Sequence, residues 1–200
     1  MSKKWRWMYN PFEKIAGWKA FGVGILILGI TTILGYFGNT IFYGISIKQV
    51  HDITWCRAFS LQALGLAITV AVMYLVALPL AKRVRFQDIL GTVTLAKYPL
   101  ILASVVCWIF NDRVMAITDS LLQALQVNPL NIINEISIAD WIIFMAFAFV
   151  SLWILVWEIV LLVNAFKVST NMKGAKCGLA FTAALLIAEI IIGVVIFAIY

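Results

Sequence analysis

The sequence predicts an all-α integral membrane protein, a five-transmembrane-helix bundle with short interfacial amphipathic helices. Three observations lead there: the composition, the length of the apolar runs, and the placement of the charges. Of the 200 residues, 64% are hydrophobic and 12% are charged, against roughly 25% charged in a soluble globular domain. A soluble core cannot absorb that much apolar surface, so the whole chain, 1–200, reads as one membrane domain.

Five apolar runs, 20–42, 59–81, 89–110, 141–163 and 178–200, each hold 22 or 23 residues. At a helical rise of 1.5 Å per residue they reach roughly 33–35 Å, enough for a hydrocarbon core of about 30 Å. Membrane β-strands are half as long and alternate in polarity, which these runs do not. The net charge of +6 does not point to nucleic acid, because the basic residues gather beside the ends of apolar runs, as topology signals and anionic-lipid contacts do. Lys3, Lys4, Arg6, Lys14, Lys19, Lys82, Arg83, Arg85, Lys167, Lys173 and Lys176 fall on one side, and Lys48, Arg57 and Arg113 on the other. Eleven against three predicts a cytoplasmic N-terminus and an outside C-terminus. The first run begins near Ala20 and lacks a clear cleavage site, so it is expected to stay as a signal anchor.

The arm 1–19 is cytoplasmic in this reading. Trp5, Trp7, Tyr9 and Trp18, with Phe12, alternate with basic residues and suit the headgroup region as an interfacial anchor. Asn10-Pro11-Phe12-Glu13 reads as a helix start, with Asn as N-cap and Pro first, so a short surface helix should run from Pro11 into the first span. The connection 111–140 places Val114, Ile117, Leu121 and Leu125 on one helical face, opposite Asp112, Asp119, Gln123 and Gln126. It predicts an amphipathic helix on the outer surface, ended by Asn128-Pro129.

Within the spans, polar or small residues fall into narrow stripes. They are Thr32, Gly35 and Asn39; Gln62, Gly65 and Thr69; Thr94, Lys97 and Ser104; Ser151 and Glu158; Thr182, Glu189 and Gly193. Ala63, Ala67 and Ala71 add a small-residue face to the second span. Such stripes let helices approach and bond to one another where lipid offers no partner. Three ionisable residues, Lys97, Glu158 and Glu189, form the candidate site, because an intramembrane charge costs about 2.5–3.5 kcal/mol even on insertion scales. Their positions along the spans bring them to similar depth, which predicts a buried Lys97–Glu158 ion pair with Glu189 protonated or bonded to the same network. Pro99 is expected to kink the third span beside the charge.

Cys56, Cys107 and Cys177 are far apart and odd in number, and the single His51 has no metal or triad spacing. No catalytic, cofactor or metal site is expected, and the chain does not read as an enzyme.

The stretch Arg85-Phe86-Gln87-Asp88-Ile89-Leu90, continuing through Leu95-Ala96-Lys97-Tyr98-Pro99-Leu100-Ile101-Leu102, resembles the central motif of the Ypt-interacting-protein (Yip) domain family. Asn10-Pro11 resembles that family's opening. The segment from Trp153 to Lys167, with Ser169, Lys173 and Ala175, resembles its Trp-rich helix and small-residue turn. Lys97 and the Tyr98-Pro99 adjacency depart from the family core. The resemblance implies five transmembrane helices and a cytoplasmic N-terminus. It is to the short bacterial members of unassigned function, and so to a bacterial cytoplasmic (inner) membrane. The family's link to vesicle-traffic GTPases does not carry over, because this chain lacks the long cytosolic N-terminal region.

Two functions follow as expectations. The first is a non-enzymatic scaffold or organiser whose partners are the lipid bilayer, other membrane proteins or a second copy of itself. The alternative is a small transporter or channel using Lys97, Glu158 and Glu189 as a polar path.

Overall fold

The computed structural model describes residues 10–81, 83–127 and 137–199. Five of its helices are long and apolar enough to cross a membrane. Along the chain come helix α1 (Gly17–Phe37), strands β1 (Thr40–Tyr43) and β2 (Ser46–Gln49), and helices α2 (Trp55–Ala77) and α3 (Phe86–Ala96). Then follow α4 (Leu100–Val127), α5 (Ile138–Thr170) and α6 (Gly174–Ile199). Helices α3 and α4 together make the third candidate span. The α-helical class is therefore seen, with one element that the apolar runs concealed.

That element is a β-hairpin. Residues 40–42 were expected to finish the first span as helix. Instead α1 stops at Phe37, Asn39 takes a positive φ of 46°, and the chain turns back on itself. The two strands pair antiparallel from Thr40↔Gln49 to Tyr43↔Ser46, leaving the two-residue turn Gly44-Ile45. Gly44 has φ +55° while Ile45 does not have a positive φ, the pattern of hairpins with glycine first in the turn. The hairpin runs back into the bundle, where β1 packs on α2, α1 and α4. Its tip meets Gly65, ten residues into α2, so it lies about 15 Å from that helix end.

The close approach depends on missing side chains. A Cβ on Gly65 would stand 2.7 Å from the Gly44 nitrogen, and one on Gly35 would stand 2.8 Å from the Thr40 carbonyl oxygen. Two glycines of the expected stripes thus accept a β-strand rather than another helix.

The third candidate span is interrupted at Lys97-Tyr98-Pro99. Pro99 has no N–H and disfavours helical geometry at the residue before it. The chain crosses the break through tight turns, with Lys97 N bonded to Thr94 O at 3.3 Å and Leu100 N to Lys97 O at 3.0 Å. Beyond the break α4 continues unbroken to Val127. The amphipathic stretch after residue 110 is consequently the far end of the third span, not a separate surface helix. Val114 and Ile117 are buried and Asp112 is exposed, so the two-faced pattern is present on that longer helix. Asn128-Pro129 lies outside the described residues.

At the other end, Asn10 to Glu13 does not start a helix that enters α1. Pro11–Glu13 is one 3-10 turn, the Asn10 side chain bonds to Glu13 Oε1 at 3.0 Å, and Gly17 opens α1 at φ +60°. Phe12, expected among the interfacial aromatics, is 1% exposed and belongs to the main core with Leu162 and Phe166. An apolar ring gains more from that core than from the headgroup zone.

Two expected stripes also shift. On α2, Ala63, Ala67 and Ala71 are exposed, and the buried line runs through Ala58, Leu61, Gln62, Gly65 and Thr69. On α6, Thr182 and Gly193 are exposed, whereas Ala180, Ala184 and Ala188 are buried. Alanines four apart give α6 its packing face, and they bring it against α2.

Candidate functional site

The three ionisable residues arrive from three elements. Lys97 ends α3, where the negative end of the helix dipole favours an ammonium group. Glu158 lies inside α5 and Glu189 inside α6. Lys97 Nζ stands 2.5 Å from Glu158 Oε1, with side-chain exposures of 4% and 0%. Both partners are therefore enclosed by protein.

Lys97 Nζ also donates to the Gly44 carbonyl at the hairpin tip. The next N–H along, that of Ile45, donates to Glu189 Oε1 at 2.8 Å. One peptide group, Gly44–Ile45, is therefore gripped from both ends, its oxygen by a cation and its N–H by a carboxylate. In a two-residue turn this peptide has no partner inside the strand ladder. A buried, unpaired peptide group carries a penalty of about 1–3 kcal/mol. Lys97 and Glu189 remove it, and the hairpin in turn gives the ammonium group a second acceptor.

Glu189 is less enclosed than Glu158. It joins Lys97 through the hairpin peptide, whose N–H it accepts and whose oxygen Lys97 holds. Sequence reasoning located the residues of this cluster but missed Gly44 and Ile45, which join them. A signal was present in Ile41-Phe42-Tyr43-Gly44-Ile45-Ser46-Ile47, where β-branched and aromatic residues flank a Gly-x turn.

Two spaces of very different size adjoin the clasp, the larger a cleft of about 320 Å³ that reaches Leu28, Gln62 and Leu66 from the α1–α2 side. The cavity that touches Lys97, Gly44 and Gln62 measures about 10 Å³, room for about one water molecule. Thr32 Oγ1 donates to Gln62 Oε1 at 2.6 Å, tying α1 to α2 beside it. Gln62 Nε2 and Glu158 Oε2 are buried without a hydrogen bond among the described residues. A second polar contact, Thr92 Oγ1 to Ser169 Oγ at 2.7 Å, ties α3 to α5.

The remaining expected residues are placed as follows. Trp18 is 65% exposed and stacks edge-on to Phe21 at 5.8 Å; Trp5, Trp7 and Tyr9 lie outside the described residues. Cys56, Cys107 and Cys177 are all free thiols. His51 Nε2 lies 3.3 Å from Asp119 Oδ1, with both side chains largely in the open. Among the described residues no three His, Cys, Asp or Glu side chains come together as metal ligands.

No family model, curated protein or solved structure matches the chain.

Proposed function

We propose that this chain is a non-enzymatic multi-pass membrane protein, a scaffold or organiser that binds lipid or other membrane proteins. The observation that carries the reading is the enclosure of the Lys97–Glu158 pair, 4% and 0% exposed, beside a cavity of about 10 Å³. A proton or solute path needs water or a chain of exchangeable groups on both sides of its charges. Here the charges fasten a hairpin. Backbone that is not helical is tolerated at membrane depth only when protein buries it and satisfies its polar groups, and the grip on Gly44–Ile45 supports that role.

The orientation belongs to the same proposal: N-terminus in the cytoplasm and C-terminus outside, on the strength of the charge count. So do a bacterial inner-membrane location and kinship with short bacterial Yip-domain proteins, which rests on Asn10-Pro11 and the motifs of 85–102 and 153–175.

The test is reconstitution of the full chain in proteoliposomes with a pH-sensitive dye inside. Scaffold function predicts no proton or ion flux above protein-free vesicles. It also predicts a defined co-purifying membrane protein that is lost in the Trp5→Ala/Trp7→Ala variant. A second reading, a small transporter, is favoured by the broken third span and the hairpin at its break, both features of transport proteins. A wild-type flux abolished by Glu189→Gln would establish that reading in place of the first.

A further inference from the structure

We propose that the cleft bordered by Arg83, Lys173 and Lys176 binds the phosphate headgroup of an anionic phospholipid. This deepens the lipid-binding reading above and rests on the chain being embedded in a bilayer. The cleft measures about 490 Å³ and lies where the α2–α3 connection meets the turn from α5 to α6. Its volume lies within the range of small-molecule sites, about 300–1,000 Å³. Leu80, Ala81 and Met172 form its apolar part, and the three cations form its charged part.

Three features point to a ligand. The cations come from two separate segments of the chain, 83 from one connection and 173 and 176 from another, and converge on one concavity. A topology signal requires only that basic residues lie near span ends and gives no reason for them to share a cleft. Among the described residues no carboxylate lines the cleft, and the contacts His51–Asp119 and Lys97–Glu158 involve none of the three. Like charges brought together repel one another, and a bound anion relieves that repulsion.

Phosphate is the anion that best matches several cations at once, because it offers several acceptor oxygens to Arg and Lys. The apolar part beside it selects an amphiphile over a soluble ion. Basic clefts between membrane helices commonly hold such headgroups. All three cations are exposed at the cleft, so a headgroup can reach them without any helix moving.

Native mass spectrometry of the full chain in detergent tests the site, with cardiolipin, phosphatidylglycerol and phosphatidylcholine as separate probes. The two anionic lipids should be retained in preference to phosphatidylcholine. Arg83→Gln/Lys173→Gln/Lys176→Gln should lower their retention by about tenfold or more, from a contribution near one charge's worth of attraction per residue. Lys19→Gln/Arg85→Gln/Lys167→Gln removes the same charge at exposed positions outside the cleft and should leave retention within about twofold. Equal loss in both variants, or loss in neither, overturns the site. Inorganic phosphate is the third arm. If it raises the melting temperature as much as phosphatidylglycerol does at equal concentration, the lipid assignment falls in favour of a soluble phosphate.

Should the triple variant fail to fold, Arg83→Gln against Arg83→Lys gives the same comparison, with retention expected in the lysine form alone. Failure here leaves the buried Lys97–Glu158 pair untouched, and a flux in proteoliposomes would remove the scaffold reading without altering lipid retention.

Discussion

Among the described residues, a Lys–Glu ion pair and a His–Asp contact, ionic only when the imidazole is protonated, sit in opposite surroundings. Lys97 and Glu158 meet at 2.5 Å with 4% and 0% of their side chains exposed. His51 and Asp119 meet at 3.3 Å with 63% and 48% exposed. The first pair is enclosed by protein, so each partner depends on the other, and Lys97 also on the hairpin peptide. The second keeps its water and depends on little. Exposed pairs contribute about 0–1 kcal/mol, whereas removing one partner of a buried pair costs about 3–5 kcal/mol. What separates them is therefore whether a charge remains stranded when its partner is removed, and substitutions can measure that directly.

The largest effect is expected from Lys97→Met. It strands the Glu158 carboxylate, fully enclosed in α5, and takes the cation from the Gly44 carbonyl. The expected loss is about 3–5 kcal/mol, read by denaturant unfolding in mild detergent. Adding Glu158→Leu should restore most of it, because replacing both members of a buried pair with apolar groups is often neutral. If the double variant is as unstable as the sum of the two single losses, the two residues are not coupled and the clasp is wrong.

Next comes Gly65→Ala. Its new methyl would stand 2.7 Å from the Gly44 nitrogen, against backbone that cannot rotate away. Overpacking of this kind costs about 1–3 kcal/mol. Gly193→Ala makes the internal control: nothing lies within 4 Å of a Cβ there, so its melting temperature should stay at or above the wild-type value, with the helix propensity of alanine in its favour. A destabilised Gly193→Ala with an unaffected Gly65→Ala would contradict the placement of the hairpin.

Glu189→Ala ranks third. It leaves the Ile45 N–H without its acceptor at the tip of the hairpin, for an expected loss of about 1–2 kcal/mol. Glu189→Gln retains an amide oxygen in the same place and should recover about half of it or more. Hydrogen exchange at Ile45 distinguishes the two: fast in the alanine variant, slow in the glutamine variant.

This ranking also explains what could be read from the sequence. Five long apolar helices followed from run length alone, since no other element spans that distance with so few charges. The three ionisable residues stood out because charge is rare in such runs. Pro99 marked the break beside Lys97, as its missing N–H requires. The hairpin escaped because Thr40–Phe42 is apolar and adjoins a helix, so hydropathy extends the helix through it. Hydropathy measures burial and is blind to whether buried backbone is helical or extended. Phe12 was misplaced for a related reason: an aromatic among basic residues reads as interfacial until a core residue such as Phe166 is known to lie beneath it. The stripe on α6 failed because polar or small residues were weighed alike, while the packing line was built of alanines four apart.

The smallest effect is reserved for the exposed pair. His51→Gln removes the imidazole that faces Asp119, yet both partners keep access to water, and the change should shift stability by no more than about 0.5 kcal/mol. Raising the salt concentration should leave even that difference smaller, because exposed charges are screened over about 10 Å at 0.1 M. Lys97→Met should respond far less to salt, since ions cannot enter a site with no open surface. Unfolding both variants at low and high salt therefore makes exposure itself the variable. A His51→Gln effect as large and salt-insensitive as that of Lys97→Met would mean that the hairpin base, and not its tip, is where the fold depends on charge.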